Sequence, residues 1–414
     1  MTLREDAKYI IDAALKSAMP DTAVEKALKG FEIPKGKLVL VSAGKAGWQM
    51  AKTAADILGN KITCGAVVTK YDHVKEEIPG LECYEAGHPV PDENSFKATE
   101  RVIEMVKDLG EEDAVVFLLS GGGSALFEKP LCTGEQLQDV TRQLLACGAD
   151  IIEINTIRKR LSAVKGGKFA HICAPAKVFS VVLSDIIGDP LDMIASGPAY
   201  PDASTSEEAV AIAEKYGLQI TDEMWALLKQ ETPKELNNVQ TQITGSVKQL
   251  CKSAEETCRA LGYEPTVLTA SMRCNARDAG SFLASIAQYH ADTEKSLAFI
   301  AGGETVVRLT GKGKGGRNQE IALSAAEDIA GIPGAAVFSL GSDGTDGPTD
   351  AAGGYCDFET KAKLAEQGVL IPNVLQNNDA YNALAKCDGL LMTGPTGTNV
   401  NDVSVLLIKR GSFP

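Results

Sequence analysis

Short runs of β-branched and leucine residues alternate with amphipathic stretches along most of this chain, and this alternation constrains the fold more than any other feature. Four apolar runs are predicted to be buried strands: KLVLVSAG, CGAVVTK, DAVVFLLSGGG and KVFSVVLSD. Amphipathic helices are predicted between and around them, at residues 3–18, 46–58, 92–108, 134–146 and 151–165. Strands that alternate with helices are typical of a mainly parallel α/β sheet.

The length of the chain predicts two domains, because 414 residues exceed what one hydrophobic core usually serves. A polar, helical segment at about residues 200–240 contains two prolines and is the best candidate for the boundary. We therefore expect one α/β domain at residues 1–235 and a smaller one at 236–414. The strand-like VSVLLIK near the C-terminus can return to the first domain.

The composition excludes several classes of protein. With 44% hydrophobic and 23% charged residues the chain is not expected to be disordered, and a formal charge of −14 argues against nucleic acid or an anionic membrane as a partner. No apolar run reaches the ~18 residues of a membrane span, and the N-terminal stretch is expected to be a helix and not a secretion signal. Ten cysteines without a CxxC pair favour reduced thiols in a cytoplasmic protein.

Glycine-rich loops follow two of the predicted strands, where ligands of open α/β sheets bind. The first loop, in VSAGKAGWQMA, carries Lys45, which is either a cation for an anionic ligand or a solvated turn residue. The second loop contains three consecutive glycines, and their bare backbone favours phosphate or carboxylate binding over a loop needed only for packing. Its candidate binding residues are Ser120, Gly121, Gly122, Gly123 and Ser124. A hydrolase with a serine nucleophile is disfavoured because the GxSxG elbow is missing.

Charged side chains form two further candidates. The basic stretch NTIRKRLSAVKGGK is expected to point some cations at an anion and others at water. Asp185 and Asp189 lie four residues apart after a predicted strand, in a spacing that suits Mg²⁺ and equally suits helix capping. His88, between a glycine and a proline, either lines the site or braces its loop.

Residues 311–354 combine a Gly/Lys/Arg loop, a helix, an apolar strand and a Gly/Asp loop. Arg317 is predicted at the start of the helix, where a guanidinium can clamp phosphate. Asp343 and Asp346 follow the strand, in a loop that does not match the EF-hand spacing. Together the two loops suggest an anion and its metal.

Familiar phosphate-binding patterns are missing. No GK step fits the P-loop register, there is no HRD or DFG triplet, and no strand is followed by GxGxxG with an acidic residue some twenty positions later. The remaining candidates are phosphoryl transfer, or another reaction of an anionic substrate, on a fold without these patterns.

Eight motifs occur together and in order, and with them the chain resembles the two-domain glycerate 2-kinases over nearly its full length. They are GKAGWQMA, GHPVPDENS, SGGGSALF, NTIRKRLSAVKGGK, LSDIIGDPLDMIASGP, GGETVVRLTGKGKGGRNQE, GSDGTDGPTDAAGG and GPTGTNVNDV. The resemblance implies a Rossmann-like N-terminal domain, a smaller α/β domain and a cleft between them. It also implies phosphorylation of D-glycerate to 2-phosphoglycerate with ATP as co-substrate and Mg²⁺.

The catalytic lysine and arginine of these kinases match Lys45 and Arg317 here. The carboxylates are candidates for the metal site or the general base, and the residues leave that choice open. Two other functions stay in view: a hydroxypyruvate reductase that uses a nicotinamide cofactor, and a binding protein that forms no ADP. The sequence does not fix the substrate's stereochemistry or hydroxyl position, the nucleotide preference, or whether the protein is a monomer or a homodimer.

Overall fold

The computed structural model describes residues 2–411 and divides the chain into two compact units. The central unit is Ala23–Thr244, and the terminal unit combines the residues up to Thr22 with those from Gly245 onward. Each unit is built around one six-stranded sheet. Among residues 2–411, no helix is both long and apolar enough to cross a bilayer.

The helices and strands follow one another along the chain with two short 3₁₀ turns, at Gly59–Lys61 and Ile194–Ser196. Their bounds are α1 Leu3–Ser17, α2 Pro20–Leu28, β1 Leu38–Ala43, α3 Gly47–Leu58, β2 Cys64–Lys70, β3 Glu82–Ala86, α4 Glu93–Val106, β4 Ala114–Leu119, α5 Gly123–Leu126, α6 Gly134–Ala146, α7 Ile151–Arg160, α8 Lys168–Cys173, β5 Lys177–Leu183, α9 Ser206–Lys215, α10 Asp222–Leu228, β6 Val239–Gly245, α11 Val247–Ala260, β7 Glu264–Met272, α12 Ala276–Tyr289, β8 Leu297–Gly303, α13 Arg317–Ile329, β9 Ala335–Gly341, β10 Gly353–Asp357, α14 Thr360–Glu366, α15 Ile371–Gln376, α16 Ala380–Lys386, β11 Leu390–Leu391 and β12 Asp402–Ile408.

The sheet of the central unit has the strand order β3-β2-β1-β4-β5-β6. Strands β1 to β5 pair in parallel, and β1 and β4 are buried along their whole length, which explains why their sequences are uniformly apolar. This order is that of the Rossmann fold, so the expected Rossmann-like parallel sheet is confirmed. The order reverses between β1 and β4, and ligands of such sheets bind at this switch point.

Side-chain caps set where several helices of the central unit begin. Asp92, Thr133, Asp150 and Thr205 each accept a hydrogen bond from the backbone three residues later, in a reciprocal capping box. These caps satisfy amides that have no partner inside the helix. The predicted helix at 134–146 agrees with α6, whereas the one predicted at 151–165 ends at Arg160, where the chain turns into a buried segment.

The polar segment at 200–240 is part of the central unit and not a linker. Its helices α9 and α10 pack on α6 and α7 through a shared apolar cluster that includes Leu144, Ile157, Ala213 and Leu228. The acidic residues of α9 and α10 are exposed, whereas Asp202 and Thr232 of the same segment are buried. The compact unit therefore continues to Thr244, beyond the expected boundary at 235.

The sheet of the terminal unit is mixed, with the order β11-β10-β9-β12-β8-β7. Within residues 2–411, β7 and β8 are the only neighbouring strands of this sheet that pair in parallel; β12 runs antiparallel to both β8 and β9. The last strand thus lies in the middle of this sheet, and the idea that it returns to the first domain is wrong. β12 belongs to this sheet because it pairs with both β8 and β9, and all seven of its residues are buried there.

The N-terminal helix α1 joins the terminal unit, a placement that its sequence alone does not reveal. Asp6 is buried and accepts hydrogen bonds from the Tyr263 hydroxyl at 2.6 Å and the Lys409 ammonium at 2.7 Å. Backbone carbonyls of Ala13 and Ala18 accept from side chains of Ser253 and Thr398 in the same unit. Hydrogen bonds between residues far apart in sequence therefore fasten α1 to α11, β12 and their neighbours.

Replacing the buried carboxylate of α1 is expected to destabilise the terminal unit. Asp6→Ala removes the acceptor of the Tyr263 hydroxyl and one contact of the Lys409 ammonium, so we expect the free energy of unfolding to fall by about 1–3 kcal/mol. The matched control is Asp12→Ala, which removes an exposed carboxylate from the same helix and is expected to change it by less than about 0.5 kcal/mol. Urea unfolding followed by circular dichroism measures both, and equal effects would contradict the role of the Asp6 contacts.

Candidate active site

Two loops of the central unit meet at the switch point, one after β1 and one after β4. The amide of Lys45 donates to the carbonyl of Gly121 at 2.8 Å, and the amide of Ala46 donates to the hydroxyl oxygen of Ser120 at 3.1 Å. These two hydrogen bonds fix the lysine-bearing loop against the glycine loop. The sequence predicted both loops, and the structure brings them together.

The glycine loop presents backbone amides that no protein acceptor uses. The amide of Gly123 donates to the Ser120 carbonyl at 3.3 Å, whereas those of Gly121, Gly122 and Ser124 have no acceptor within residues 2–411. All three residues are partly exposed. Successive N–H groups of this kind form an anion-binding concavity.

Two side chains border this loop at Gly122. A Cβ at Gly122 would lie 3.0 Å from Nε2 of His88 and 3.1 Å from Cγ of Lys45, so both side chains reach the loop. Burial lowers the pKa of His88, and the nearby Lys45 and Lys70 lower it further. These shifts favour the neutral form of the imidazole. The contact with Gly122 places His88 beside the glycine loop, in agreement with one of the two alternatives that its sequence context allowed.

Asp185, in the loop that follows β5, lies against Gly121 of the glycine loop. A Cβ on Gly121 would overlap its carboxylate oxygen, which explains why this position carries glycine. Asp189 follows in the same loop with a left-handed backbone (φ 56°), as do Ala195 (φ 51°) and Ser196 (φ 61°). Strained backbone of this kind concentrates at functional sites.

The fit of a magnesium ion depends on these two carboxylates. No group of three or more His, Cys, Asp or Glu side chains among residues 2–411 is arranged to hold a metal. Mg²⁺ needs only one or two carboxylates when phosphate oxygens and water complete its shell. Asp185 and Asp189 supply donors of the right chemistry, so they fit a metal that arrives with a nucleotide.

Cations of the basic stretch support the glycine loop from inside the unit. The Lys165 ammonium and the Arg158 guanidinium each donate to the Ser124 carbonyl at 2.9 Å, and Lys165 also pairs with the fully buried carboxylate of Glu128 at 3.1 Å. Burial lowers the pKa of Lys165 to about 8 despite Glu128. These cations hold the short helix α5, which the glycine loop begins.

The remaining cations of this stretch are internal as well. Lys159 and Arg160 are 3% and 1% exposed, and the Lys159 ammonium pairs with the buried Asp202 at 3.0 Å. Arg160 donates to the hydroxyl and carbonyl oxygens of Ser204. The expectation that the stretch points cations at an anion and at water is therefore wrong, because buried carboxylates and carbonyls bind them.

In the terminal unit, Arg317 begins α13 as predicted, but carboxylates surround it. Its Nε and Nη2 atoms both donate to the Asp402 carboxylate, Nη2 at 2.9 Å, and Nη1 donates to Oε1 of Glu304 at 3.2 Å. Burial alone would lower the pKa of Arg317, yet these contacts raise it above its ordinary value. Burial raises the pKa of Asp402, against the influence of Arg317.

The amino end of α13 is occupied by a carboxylate of the protein itself. Asp346 is 3% exposed and accepts from the amides of Asn318 at 3.2 Å and Gln319 at 2.9 Å. A Cβ on Gly316 would overlap this carboxylate, so the bare glycine admits Asp346 and not a ligand. Burial raises the pKa of Asp346 to about 6, although the two amides lower it and Asp402 adds to the rise.

The other residues of the two loops at 311–354 contact neighbouring residues of the protein. Asp343 is partly exposed, and its Oδ1 accepts from the Thr345 amide at 3.0 Å. The amide of Gly311 donates to the side chain of Asn378 at 2.9 Å, and the Lys314 ammonium lies 4.1 Å from the centre of the Tyr381 ring. The glycines of the cationic loop thus allow it to pack against a neighbouring turn.

Sequence reasoning missed Asp402 and Glu304 as functional candidates. Both lie in motifs quoted only for their resemblance, although Glu304 directly follows Gly302 and Gly303. A usable signal existed: Glu304 directly follows β8, and Asp402 begins β12, the strand next to it.

Comparison with known proteins adds the following findings. Residues 6–229 match the family described as a domain of unknown function, DUF4147, and residues 297–402 match the MOFRL family. A D-glycerate 2-kinase of Thermotoga maritima is 50% identical over 98% of this chain and 99% of its own. A putative hydroxypyruvate reductase of Agrobacterium vitis is 37% identical over 99% of this chain and 95% of its own. The crystal structure of a glycerate kinase from Thermotoga maritima superposes with a TM-score of 0.93 at 49% identity, covering 98% of this chain and 99% of that one.

The raised pKa of Asp346 predicts how stability depends on pH. Between about pH 4 and pH 6 the folded protein holds a proton on Asp346 that the unfolded chain releases, so this group stabilises the fold less as the pH rises. Asp346→Asn removes this titration. We expect the free energy of unfolding of the wild type, minus that of the variant, to increase as the pH falls from 7 to 5, by at most about 1.4 kcal/mol per unit. Urea unfolding at several pH values measures it, and a difference that is flat or decreases would contradict the prediction.

Proposed function

The chain belongs to the glycerate kinase family that joins a DUF4147 domain to a MOFRL domain, and we propose that it phosphorylates the 2-hydroxyl of D-glycerate with ATP. The products are 2-phosphoglycerate and ADP. The observation that carries this proposal is the loop pair at the switch point. There, the three amides of the glycine loop lie beside Lys45, with no acceptor in the described part of the chain.

The two loops are suited to bind a phosphoryl group during its transfer. Phosphoryl transfer requires little covalent chemistry from the protein and much positioning and charge stabilisation. The amides of Gly121, Gly122 and Ser124 and the Ser124 hydroxyl are donors for phosphate oxygens, and the Lys45 ammonium supplies the charge. Because the two loops are hydrogen-bonded to each other, these donors are held in place before the substrate binds.

Asp185 and Asp189 are proposed to hold the magnesium ion that accompanies ATP. When bound, such an ion would supply positive charge to the phosphate oxygens. The protein's own part is to hold Asp185 next to Gly121, so that a carboxylate lies within reach of phosphates bound by the glycine loop.

Arg317 is proposed to orient an anionic group of the substrates. Three of the five N–H groups of its guanidinium are engaged by Asp402 and Glu304, which leaves two for a ligand. Asp402 is buried and contacts two nitrogen atoms, so it fixes the direction in which the free N–H groups point. Asp343 and Asp346 are closer to structural roles, in a turn and at the start of α13.

The ten cysteines are all free thiols, which supports a reducing, cytoplasmic setting. We propose small molecules alone as substrates, acted on by a monomer or homodimer.

Removing either candidate catalytic cation is expected to abolish most turnover. Lys45→Ala and Arg317→Ala should each lower kcat with ATP and D-glycerate by at least about 100-fold, because the first removes charge stabilisation from the transition state and the second removes the group that orients an anionic part of the substrates. The matched controls are Lys52→Ala and Arg259→Ala, whose side chains pair with Asp56 and Glu255 on helix surfaces and should leave kcat unchanged. Near-normal turnover in either test variant, with an unchanged circular dichroism spectrum, would remove that residue from the mechanism.

The product distinguishes the proposed reaction from its alternatives. With ATP, Mg²⁺ and D-glycerate, phosphorus NMR should show 2-phosphoglycerate and ADP. Formation of 3-phosphoglycerate would refute the choice of hydroxyl, and binding without ADP formation would favour a binding protein. The names of the relatives from Agrobacterium vitis favour one further test. Oxidation of a reduced nicotinamide on addition of hydroxypyruvate, without glycerate phosphorylation, would support a reductase.

A further inference from the structure

Three carboxylates lie around the guanidinium of Arg317 or at the start of its helix, and two of them have structural tasks. Asp346 is buried against the helix amides, and Asp402 is buried against the guanidinium. Glu304 differs from them because about half of its side chain (49%) is exposed. It is thus the one of the three that combines contact with Arg317 and access for a ligand.

The position of Glu304 is fixed although its side chain is exposed. It directly follows β8, and its amide donates to the Met272 carbonyl at 2.8 Å. Its two carboxylate oxygens contact different donors: Oε1 the Nη1 atom of Arg317 at 3.2 Å, and Oε2 the side-chain amide of Asn401 at 3.4 Å. Each carboxylate oxygen has further lone pairs, so the group can still accept a proton or a hydrogen bond.

Asn401 contacts Glu304 from a buried position with a left-handed backbone. Its backbone is left-handed (φ 67°), its side chain is 5% exposed, and its Oδ1 atom is buried without a hydrogen-bond partner among residues 2–411. A strained backbone and an unsatisfied buried acceptor each cost stability, on the order of 1–3 kcal/mol. Both costs fall on the residue that orients the Oε2 atom of Glu304.

The charges around Arg317 leave Glu304 able to act as a base. Asp402 balances the single positive charge of the guanidinium through its contact with two nitrogen atoms. The group formed by Arg317, Asp402 and Glu304 therefore carries a net charge of −1 when all three are ionised. The Glu304 carboxylate can therefore accept a proton, while the two remaining N–H groups of Arg317 stay available to an anionic part of the substrates.

On the premise of the proposed function, we propose that Glu304 is the general base that accepts the proton of the glycerate hydroxyl. The hydroxyl O–H bond breaks and its proton passes to the Glu304 carboxylate, while the oxygen forms a bond to the γ-phosphorus of ATP. The bond from that phosphorus to the bridging oxygen of ADP breaks, and ADP leaves with the electron pair. Exposure of Glu304 allows the proton to pass on to water. Arg317 and Asn401 are positioning residues for this step.

The test is Glu304→Gln, which keeps the shape of the side chain and removes its basicity. We expect kcat to fall by at least about 100-fold with the KM for D-glycerate within threefold of wild type, because a base acts in the transition state and not in binding. Glu304→Asp, which keeps the carboxylate on a shorter side chain, is expected to retain more activity than the glutamine variant. The matched control is Glu327→Gln, which removes a partly exposed, ion-paired carboxylate from the other end of α13. It should leave kcat unchanged.

Four outcomes separate the possibilities. A large loss of kcat in Glu304→Gln, partial recovery in Glu304→Asp and unchanged thermal midpoints support the inference. Normal kcat in Glu304→Gln overturns it. A lower KM with unchanged or raised kcat overturns it too, because the carboxylate would then only compete with the substrate for Arg317. Failure of the wild-type protein to phosphorylate glycerate at all would refute the proposed function instead, so the two failures are distinguishable.

Discussion

The reversal of strand order between β1 and β4 is the constraint on which the candidate chemistry of the central unit depends. Because the chain leaves these two neighbouring strands toward opposite sides, the loops that follow them separate and leave their amides uncovered. The hydrogen bonds from the Lys45 and Ala46 amides then join the loops across this gap.

Buried charged side chains hold the glycine loop in place from inside the central unit. Lysine and arginine side chains are rarely fully buried in proteins, yet Lys159, Arg160 and Lys165 lie inside. Lys165 binds carbonyls at the end of α5 and the buried Glu128 at once. Buried ion pairs of this kind contribute little net stability but are costly to break singly. Here they fix the position of α5, the helix that follows the glycine loop.

The sequence was informative where strands end in glycine and uninformative where long-range contacts decide. The strands β1, β2, β4 and β5 and the helix α6 follow from local patterns, and so does the position of Lys45. The placement of α1 could not be predicted, since it depends on Asp6 meeting Tyr263 and Lys409, hundreds of residues away. Short or half-exposed elements such as β3 and β11 lacked a clear periodicity.

The same limit applies to the sites. Residue type and spacing located Arg317 at a helix start, but they could not show that Asp402 engages it or that Asp346 takes the helix amides. A cation in sequence is an anion site only if the fold leaves its charge uncompensated. Charge compensation is a property of the tertiary structure, and for the basic stretch and for Arg317 it changed the interpretation.

The two units therefore provide for an anion in different ways, and the difference bears on mechanism. In the central unit, neutral amides beside Lys45 can gather the dispersed charge of a phosphoryl group without a compensating carboxylate. In the terminal unit, Arg317 is already balanced by Asp402, so what it adds is direction, and the charge that remains is the negative charge of Glu304. Attraction of phosphate and acceptance of a proton need opposite local charges. A chain that assigns them to separate sets of residues satisfies both, because neither set has to neutralise the other.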